Sequence, residues 1–313
     1  MTDFSTQIAV MMSTYNPDER LMRQVESILN QYGVKAELFI RDDGSNDAGK
    51  KQLRLVEKRY QQIHVIYGEN LGYRDSFLQL IQMIAGYKYY AFADQDDFWY
   101  PNKLEKMLQM METDQDKDSE PKLVLSNGNV VRDDKTIGDM YPKNSTFDTI
   151  SDVSFRAMYG MSFLINDELI ELVRLIVNKK NELVTFGHDD LIAFIASLYG
   201  KIDFCGEKLM DYVQHSNNAS GFKGQKLTLL SKFRLLMKRF SDWSFRVSSN
   251  LLSISAGLEE DTQNQQSLKI KSLVLGAQRS IRGRIKLIFS GVWRTHSLAQ
   301  DFVMFILVII GKF

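Results

Sequence analysis

Residues 89–97 read Tyr-Tyr-Ala-Phe-Ala-Asp-Gln-Asp-Asp, an apolar run that stops at three carboxylates. Tyr89 to Ala93 has the length and composition of a fully buried strand, and Pro101 suits the start of a helix. The spacing therefore predicts a tight strand-to-helix turn carrying Asp94, Asp96 and Asp97. Carboxylates this close repel one another and raise each other's pKa, a cost that a bound cation offsets. Mg²⁺ or Mn²⁺ holding a nucleoside diphosphate is one such cation. A lone acid-x-acid pair is more often a solvated loop, so the motif needs support from elsewhere in the chain.

That support comes from the residues that follow each upstream apolar run. Ile8 to Met12, Glu37 to Arg41 and His64 to Tyr67 read as strands, and helical patterns lie at about 17–31, 47–60, 73–85 and 101–112. Such alternation predicts a mostly parallel sheet covered by helices. Ligands of these sheets bind beyond the carboxyl ends of the strands. Strand one runs into Ser13-Thr14-Tyr15-Asn16, strand two into Asp42-Asp43-Gly44-Ser45-Asn46-Asp47, and strand three into Glu69-Asn70-Leu71-Gly72-Tyr73-Arg74. Turn formation and helix capping would explain any one of these, but four polar strand ends together point to a binding edge.

The ordered set STYN, RDDGSND, ENLG and FADQDDFW resembles the GT-A nucleotide-diphospho-sugar transferases of glycosyltransferase family 2. Within that family it is similar to bacterial rhamnosyltransferases that build surface polysaccharides. The likeness continues through Gly187-His188-Asp189-Asp190-Leu191 and the segment from Tyr212 to Gly221, so it covers residues 7–221 well and the remainder loosely. It implies an α/β fold: a GT-A, Rossmann-like domain over residues 1–221, with a helical C-terminal appendage over 222–313.

The resemblance also implies roles. Thr14 and Tyr15 would lie beside the nucleoside, and Asp42 or Asp43 would accept the N3–H of a pyrimidine, which suits dTDP- and UDP-sugars alike. Asp96 would coordinate the Mg²⁺ or Mn²⁺ ion. Asp94 would serve the ribose, the metal or its bound water. Arg74 would add a donor to the phosphates, although an exposed loop arginine is more often solvated. His215 resembles a residue near the diphosphate and metal, with a polar turn position as its plain alternative. An inverting transferase also needs a carboxylate to take the acceptor proton. Asp189 matches that base, with helix N-cap as its structural alternative. Relatives usually carry an aromatic residue where this chain has Asp190, which leaves the base open between Asp189 and Asp190.

Composition bounds the rest. The 313 residues are 44% hydrophobic and 25% charged, enough for a large α/β core plus an appendage. The single cysteine, Cys205, excludes an internal disulfide framework, and no leader is expected from the polar residues after Ser13. Residues 221–313 carry 15 Lys and Arg against 5 Asp and Glu, leaving 24 against 34 in residues 1–220. An acidic body argues against nucleic acid as partner. Lys226 to Phe240 and Ser267 to Val292 are basic and amphipathic, and Phe302 to Ile310 is apolar but about half of a bilayer-spanning length. The expectation is a cytoplasmic protein held peripherally on the anionic inner face of the plasma membrane. The alternative is a helical subdomain packing on the core or on a second copy of the chain.

The expected reaction is inverting transfer of L-rhamnose from dTDP-L-rhamnose to a hydroxyl of a polyprenyl-diphosphate-linked glycan. A UDP-hexose or UDP-hexosamine transferase is the alternative, and a catalytically silent sugar-nucleotide-binding scaffold is the reading from a different class.

Overall fold

The computed structural model describes residues 6–113, 120–147, 150–178, 187–214 and 265–292, with 294, 301, 302, 305, 306, 308 and 309. In chain order the elements are β1 (Gln7–Thr14), α1 (Arg20–Leu29), β2 (Lys35–Asp43), α2 (Asp47–Arg59), β3 (Ile63–Gly68), α3 (Tyr73–Met83), β4 (Tyr89–Ala93) and β5 (Phe98–Trp99). They continue as α4 (Lys103–Met111), β6 (Lys122–Arg132), β7 (Lys135–Asp139), α5 (Ile150–Phe155), β8 (Phe163–Asn166), α6 (Asp167–Asn178), α7 (His188–Tyr199) and β9 (Lys201–Val213). The C-terminal helices are α8 (Gln265–Arg279) and α9 (Ile281–Phe289).

Among the described residues nine strands form one sheet in the order β3-β2-β1-β4-β8-β6-β9-β5, with β7 on β6. β1 lies parallel between β2 and β4, and β3 is parallel to β2. The central strands β1 and β4 are buried on both faces, so they are continuous apolar runs: Ile8 to Met12 and Ala91 to Ala93 are each 0% exposed. The other half is mixed rather than parallel. β8 runs antiparallel to both β4 and β6, β5 runs antiparallel to β9, and β6 and β9 are parallel.

The acidic turn departs from the strand-to-helix reading. Residues 98–99 join the sheet as β5, pairing Phe98 with Asp211 and Trp99 with Met210, and α4 begins only at Lys103. Burial of Trp99 and the pairing with β9 hold the chain extended for two residues before the helix. Tyr100 reinforces that junction, its hydroxyl donating to Asp211 Oδ1 at 2.6 Å and accepting from Asn129 Nδ2 at 2.8 Å.

The chain divides into two compact units. Residues 1–146, 159–174 and 200–221 hold the sheet, and residues 147–158, 175–199 and 222–313 hold α5, α7, α8 and α9. Within the second unit α8 and α9 cross at two glycines: a Cβ on Gly283 would lie 1.9 Å from the Gly276 carbonyl oxygen. Among the described residues no helix is long and apolar enough to cross a membrane.

Candidate active site

The parallel register brings the polar strand ends to one edge of the sheet. Thr14 stands opposite Asp42, Asp42 opposite Tyr67, and Met12 opposite Ala93, one residue before Asp94. Thr14 is buried, its hydroxyl donating to the Arg41 carbonyl at 3.3 Å. The ring of Tyr15 is 53% exposed. Its peptide is held by Gln95, whose Oε1 accepts the Tyr15 N–H at 2.9 Å and whose Nε2 donates to the Tyr15 carbonyl at 3.3 Å.

The adjacent carboxylates Asp42 and Asp43 do different work. Asp43 is saturated by its own fold: Oδ1 accepts from Leu71 N–H at 2.8 Å and from Arg41 Nη1 at 2.6 Å, and Oδ2 accepts from Gly72 N–H at 2.9 Å. Arg41 is itself buried, donating to Ser76 Oγ and the Glu69 carbonyl at 3.0 Å each and to Gln79 Oε1. Truncating one member of such a buried pair leaves the other charge desolvated, a cost of about 3–5 kcal/mol. Together Arg41 and Asp43 tack residues 69–72 onto the end of β2. Gly44 completes the seam: at φ +78° it admits Asn70, whose nitrogen would sit 2.8 Å from any added Cβ. Asp42 contrasts with this. Its Oδ1 accepts the Ser45 N–H at 3.1 Å, and its Oδ2 is buried with no hydrogen-bond partner among the described residues. A buried, unmatched acceptor costs about 1–3 kcal/mol unless a donor meets it. A ligand N–H fits that oxygen.

Arg74 lies in the first turn of α3, 3.5 Å from Asp75 Oδ1, and is partly exposed. The acidic turn is braced by helix α1 and the residues just after it, through the buried polar side chains of Gln24 and Ser27 on the helix and Gln31 beyond its end. Gln24 Nε2 donates to the Asp94 carbonyl at 3.1 Å, Ser27 Oγ accepts the Trp99 N–H at 3.1 Å, and Gln31 Nε2 donates to the Tyr100 carbonyl at 2.9 Å. Asp94 and Asp96 are half-buried, whereas Asp97 is buried. Asp97 Oδ1 accepts the Val213 N–H at 3.0 Å, tying the turn to the end of β9. Burial first, then the charges of Asp94 and Asp96, push the Asp97 carboxyl well above the usual carboxylate range. Lys103 opposes that shift. Its ammonium is buried 4.3 Å from the Trp99 ring centre and donates to the Met161 carbonyl at 3.1 Å, and burial lowers its pKa to about 7.

In the second unit Asp189 and Asp190 occupy the first turn of α7, where carboxylates complement the helix dipole. The helix starts at His188, so Asp189 is not its N-cap. Instead Asp189 Oδ1 accepts the Asp190 N–H at 2.9 Å, one of the donors that a helix start leaves unmatched. His188 is buried, and burial lowers its pKa against the opposing charge of Asp189. His215 lies outside the described residues.

The sequence model of the family described as Glycosyl transferase family 2 matches residues 9–171, just over half of the chain. The chain belongs to glycosyl transferase family 2. Curated relatives in this family include RfbG of Shigella flexneri, named a dTDP-rhamnosyl transferase, 27% identical over 67% of this chain and 73% of its own length. TuaG of Bacillus subtilis (strain 168), named for teichuronic acid biosynthesis, is 35% identical over 36% of this chain and 44% of its own. WfgD of Escherichia coli, named a UDP-Glc:alpha-D-GlcNAc-diphosphoundecaprenol beta-1,3-glucosyltransferase, is 30% identical over 33% of this chain and 40% of its own. The chain therefore spans less than half the length of TuaG and WfgD. The crystal structure of S. aureus TarS 1–349 in complex with UDP superposes with a TM-score of 0.52 at 15% identity, covering 97% of this chain and 90% of that one. That likeness is one of fold, and the fold is GT-A with helices at the C-terminal end.

For a family 2 chain the metal question turns on its own carboxylates. Among the described residues no three His, Cys, Asp or Glu side chains converge on one point. Asp94 and Asp96 still supply hard, half-buried oxygens just beyond the carboxyl end of β4, and Mg²⁺ is commonly held by one or two carboxylates plus phosphate oxygens and water. The donor set fits that partial mode. Gln24, Gln95 and Arg41 escaped the sequence reading. The signal for Gln24 was a polar residue at an apolar-face position of α1.

Proposed function

We propose that this protein is an inverting glycosyltransferase that moves a sugar from a pyrimidine nucleoside diphosphate to a glycan hydroxyl in bacterial cell-surface polysaccharide synthesis. The observation that carries it is the buried, unmatched Oδ2 of Asp42 at the same sheet edge as Thr14, Tyr15 and the acidic turn. Uracil and thymine both present an N3–H to such an acceptor. Asp43, whose oxygens are taken by Arg41, Leu71 and Gly72, holds residues 69–72 in place rather than reading the base.

In this reading Asp94 serves the ribose or the metal's water, Asp96 binds the metal, and Arg74 supplies a donor to the phosphates. A Mg²⁺ or Mn²⁺ ion held there would neutralise charge on the diphosphate leaving group. Asp189, or in its place Asp190, takes the proton of the acceptor hydroxyl as its oxygen bonds to the anomeric carbon. The bond from that carbon to the phosphate oxygen breaks, and its electron pair leaves with the nucleoside diphosphate.

The long match to RfbG favours dTDP-L-rhamnose as donor, and the WfgD match favours a UDP-hexose as the second reading and a lipid-linked acceptor in either case. A thermal-shift panel of dTDP- and UDP-sugars with Mn²⁺ decides between them. The cognate donor is expected to raise Tm by an amount that grows with concentration over Kd. No shift with any pyrimidine donor, together with a shift from a GDP-sugar, sinks the base reading. Release of free nucleoside diphosphate separates an enzyme from a silent scaffold.

The C-terminal region is read as a membrane-facing surface. On α9, Ile281, Ile285 and Phe289 recur at every fourth position and are exposed, flanked by Arg282 and Lys286. An apolar row edged by cations suits anionic lipid, each nearby cation contributing about 1 kcal/mol. Replacing those three residues with Ser should reduce co-sedimentation with anionic vesicles and leave donor-induced stabilisation unchanged. A protein that ignores vesicles yet changes its oligomeric state on the same substitutions has an assembly face there instead.

A further inference from the structure

Gln95 stands between Asp94 and Asp96 in the acidic turn and offers no charge to a cation. Its carboxamide faces the loop after β1 and meets both polar groups of one residue, the Tyr15 N–H and the Tyr15 carbonyl. Only one of the two flip states of an amide satisfies such a pair, so the orientation is fixed by its partners. The backbone does not make this contact, because the ladder between β1 and β4 ends with Met12 opposite Ala93. On the other side of Tyr15 the chain is tied as firmly. Asn16 adopts φ 48°, its N–H donates to Ser45 Oγ at 2.8 Å, and its side-chain oxygen accepts the Asn46 N–H at 2.8 Å. The Tyr15 ring, more than half exposed, gains little from packing.

Resting on the reading of Thr14 and Tyr15 as neighbours of the nucleoside, we propose that Gln95 is a positioning residue for the nucleoside half of the donor. Its clasp acts as a side-chain rung beyond the last rung of the sheet. It holds the Tyr15 peptide, and with it the ring, on the edge where Asp42 presents its unmatched oxygen. Gln95 thereby sets nucleotide affinity from within the acidic turn while acting on the opposite end of the donor from the cation.

The test is titration calorimetry of the full chain, wild type against Gln95→Met and Gln95→Ala, with UDP, dTDP and GDP, each with and without Mn²⁺. Methionine keeps the length of glutamine and removes both hydrogen bonds. Affinity for the preferred nucleotide is expected to fall about tenfold in both variants, the entropic cost of re-ordering about one freed backbone residue on binding. The factor should be the same with and without Mn²⁺, with Tm lowered by no more than a few degrees, as expected for the loss of one or two partly exposed hydrogen bonds. Hydrogen exchange of the Tyr15 amide, slow in the ligand-free wild type, should become fast in both variants. Unchanged affinity overturns the proposal, as does a loss confined to titrations containing Mn²⁺, which would make Gln95 a residue of the cation turn. An unprotected Tyr15 amide in the wild type overturns it without any variant. Preference for GDP refutes the pyrimidine reading separately, and the Gln95 factor is then read on GDP.

Discussion

Asp96→Ala is expected to lose roughly 10³-fold in turnover, about 4 kcal/mol of transition-state stabilisation, while melting within a degree or two of the wild type. The two halves of this result have separate causes. The catalytic loss follows from removing an oxygen ligand where the diphosphate charge develops. Stability holds because Asp96 is only half-buried and its charge helps to push the buried Asp97 carboxyl upward. Removing it relieves that repulsion but also removes its attraction for Arg20, so the two offset and Tm should move little. EDTA should inhibit the wild type to a comparable level, with recovery on adding Mn²⁺ or Mg²⁺. Steady-state rates with and without EDTA provide the check, and full activity of either Asp96→Ala or the chelated wild type would remove the metal role from this turn.

Asp189→Asn is expected to bind donor with near-normal affinity and to lose a factor of roughly 10²–10⁴ in kcat, the range for a missing general base. Asparagine keeps the shape, and its Oδ1 can still accept the Asp190 N–H that Asp189 holds at 2.9 Å, so the first turn of α7 should persist. Calorimetry with the donor and single-turnover rates separate binding from chemistry. The matching Asp190→Asn variant decides the remaining ambiguity. Should it carry the kcat loss while Asp189→Asn only lowers Tm, Asp190 is the base and Asp189 a helix-start residue.

How far these residues could be read from the sequence depended on whether their partners were local. The central strands β1 and β4 were legible because a strand buried on both faces must be a continuous apolar run, whereas β2 and β3, buried less completely, were legible as short β-rich segments that also end in polar residues at the same sheet edge. The return of residues 98–99 into the sheet was not legible. It depends on pairing with Asp211 and Met210, more than a hundred positions away. Asp42 and Asp43 are indistinguishable as letters. What separates them is the position of the Leu71 and Gly72 amides and of the Arg41 guanidinium, which turns one carboxylate inward and leaves an oxygen of the other unmatched. Gln95 was hidden for a similar reason, since its partner peptide lies 80 residues earlier in the chain. The N-cap alternative for Asp189 failed by two residues, because α7 begins at His188 and its N-cap position is Gly187.

The bond from the Val213 N–H to Asp97 also has a meaning for synthesis. Asp97 must wait for a partner 116 residues downstream. At a ribosomal pace of about 5–20 residues per second, that is an interval of roughly 6–23 s. During it the nascent chain carries β1 to β4 and three crowded carboxylates, but not the strand that anchors the turn. β5 waits for the same strand. Fragments that stop short of residue 213, whether from early termination or proteolysis, should therefore keep a recognisable half-sheet with a slack acidic turn, and such products are natural clients for chaperones and proteases.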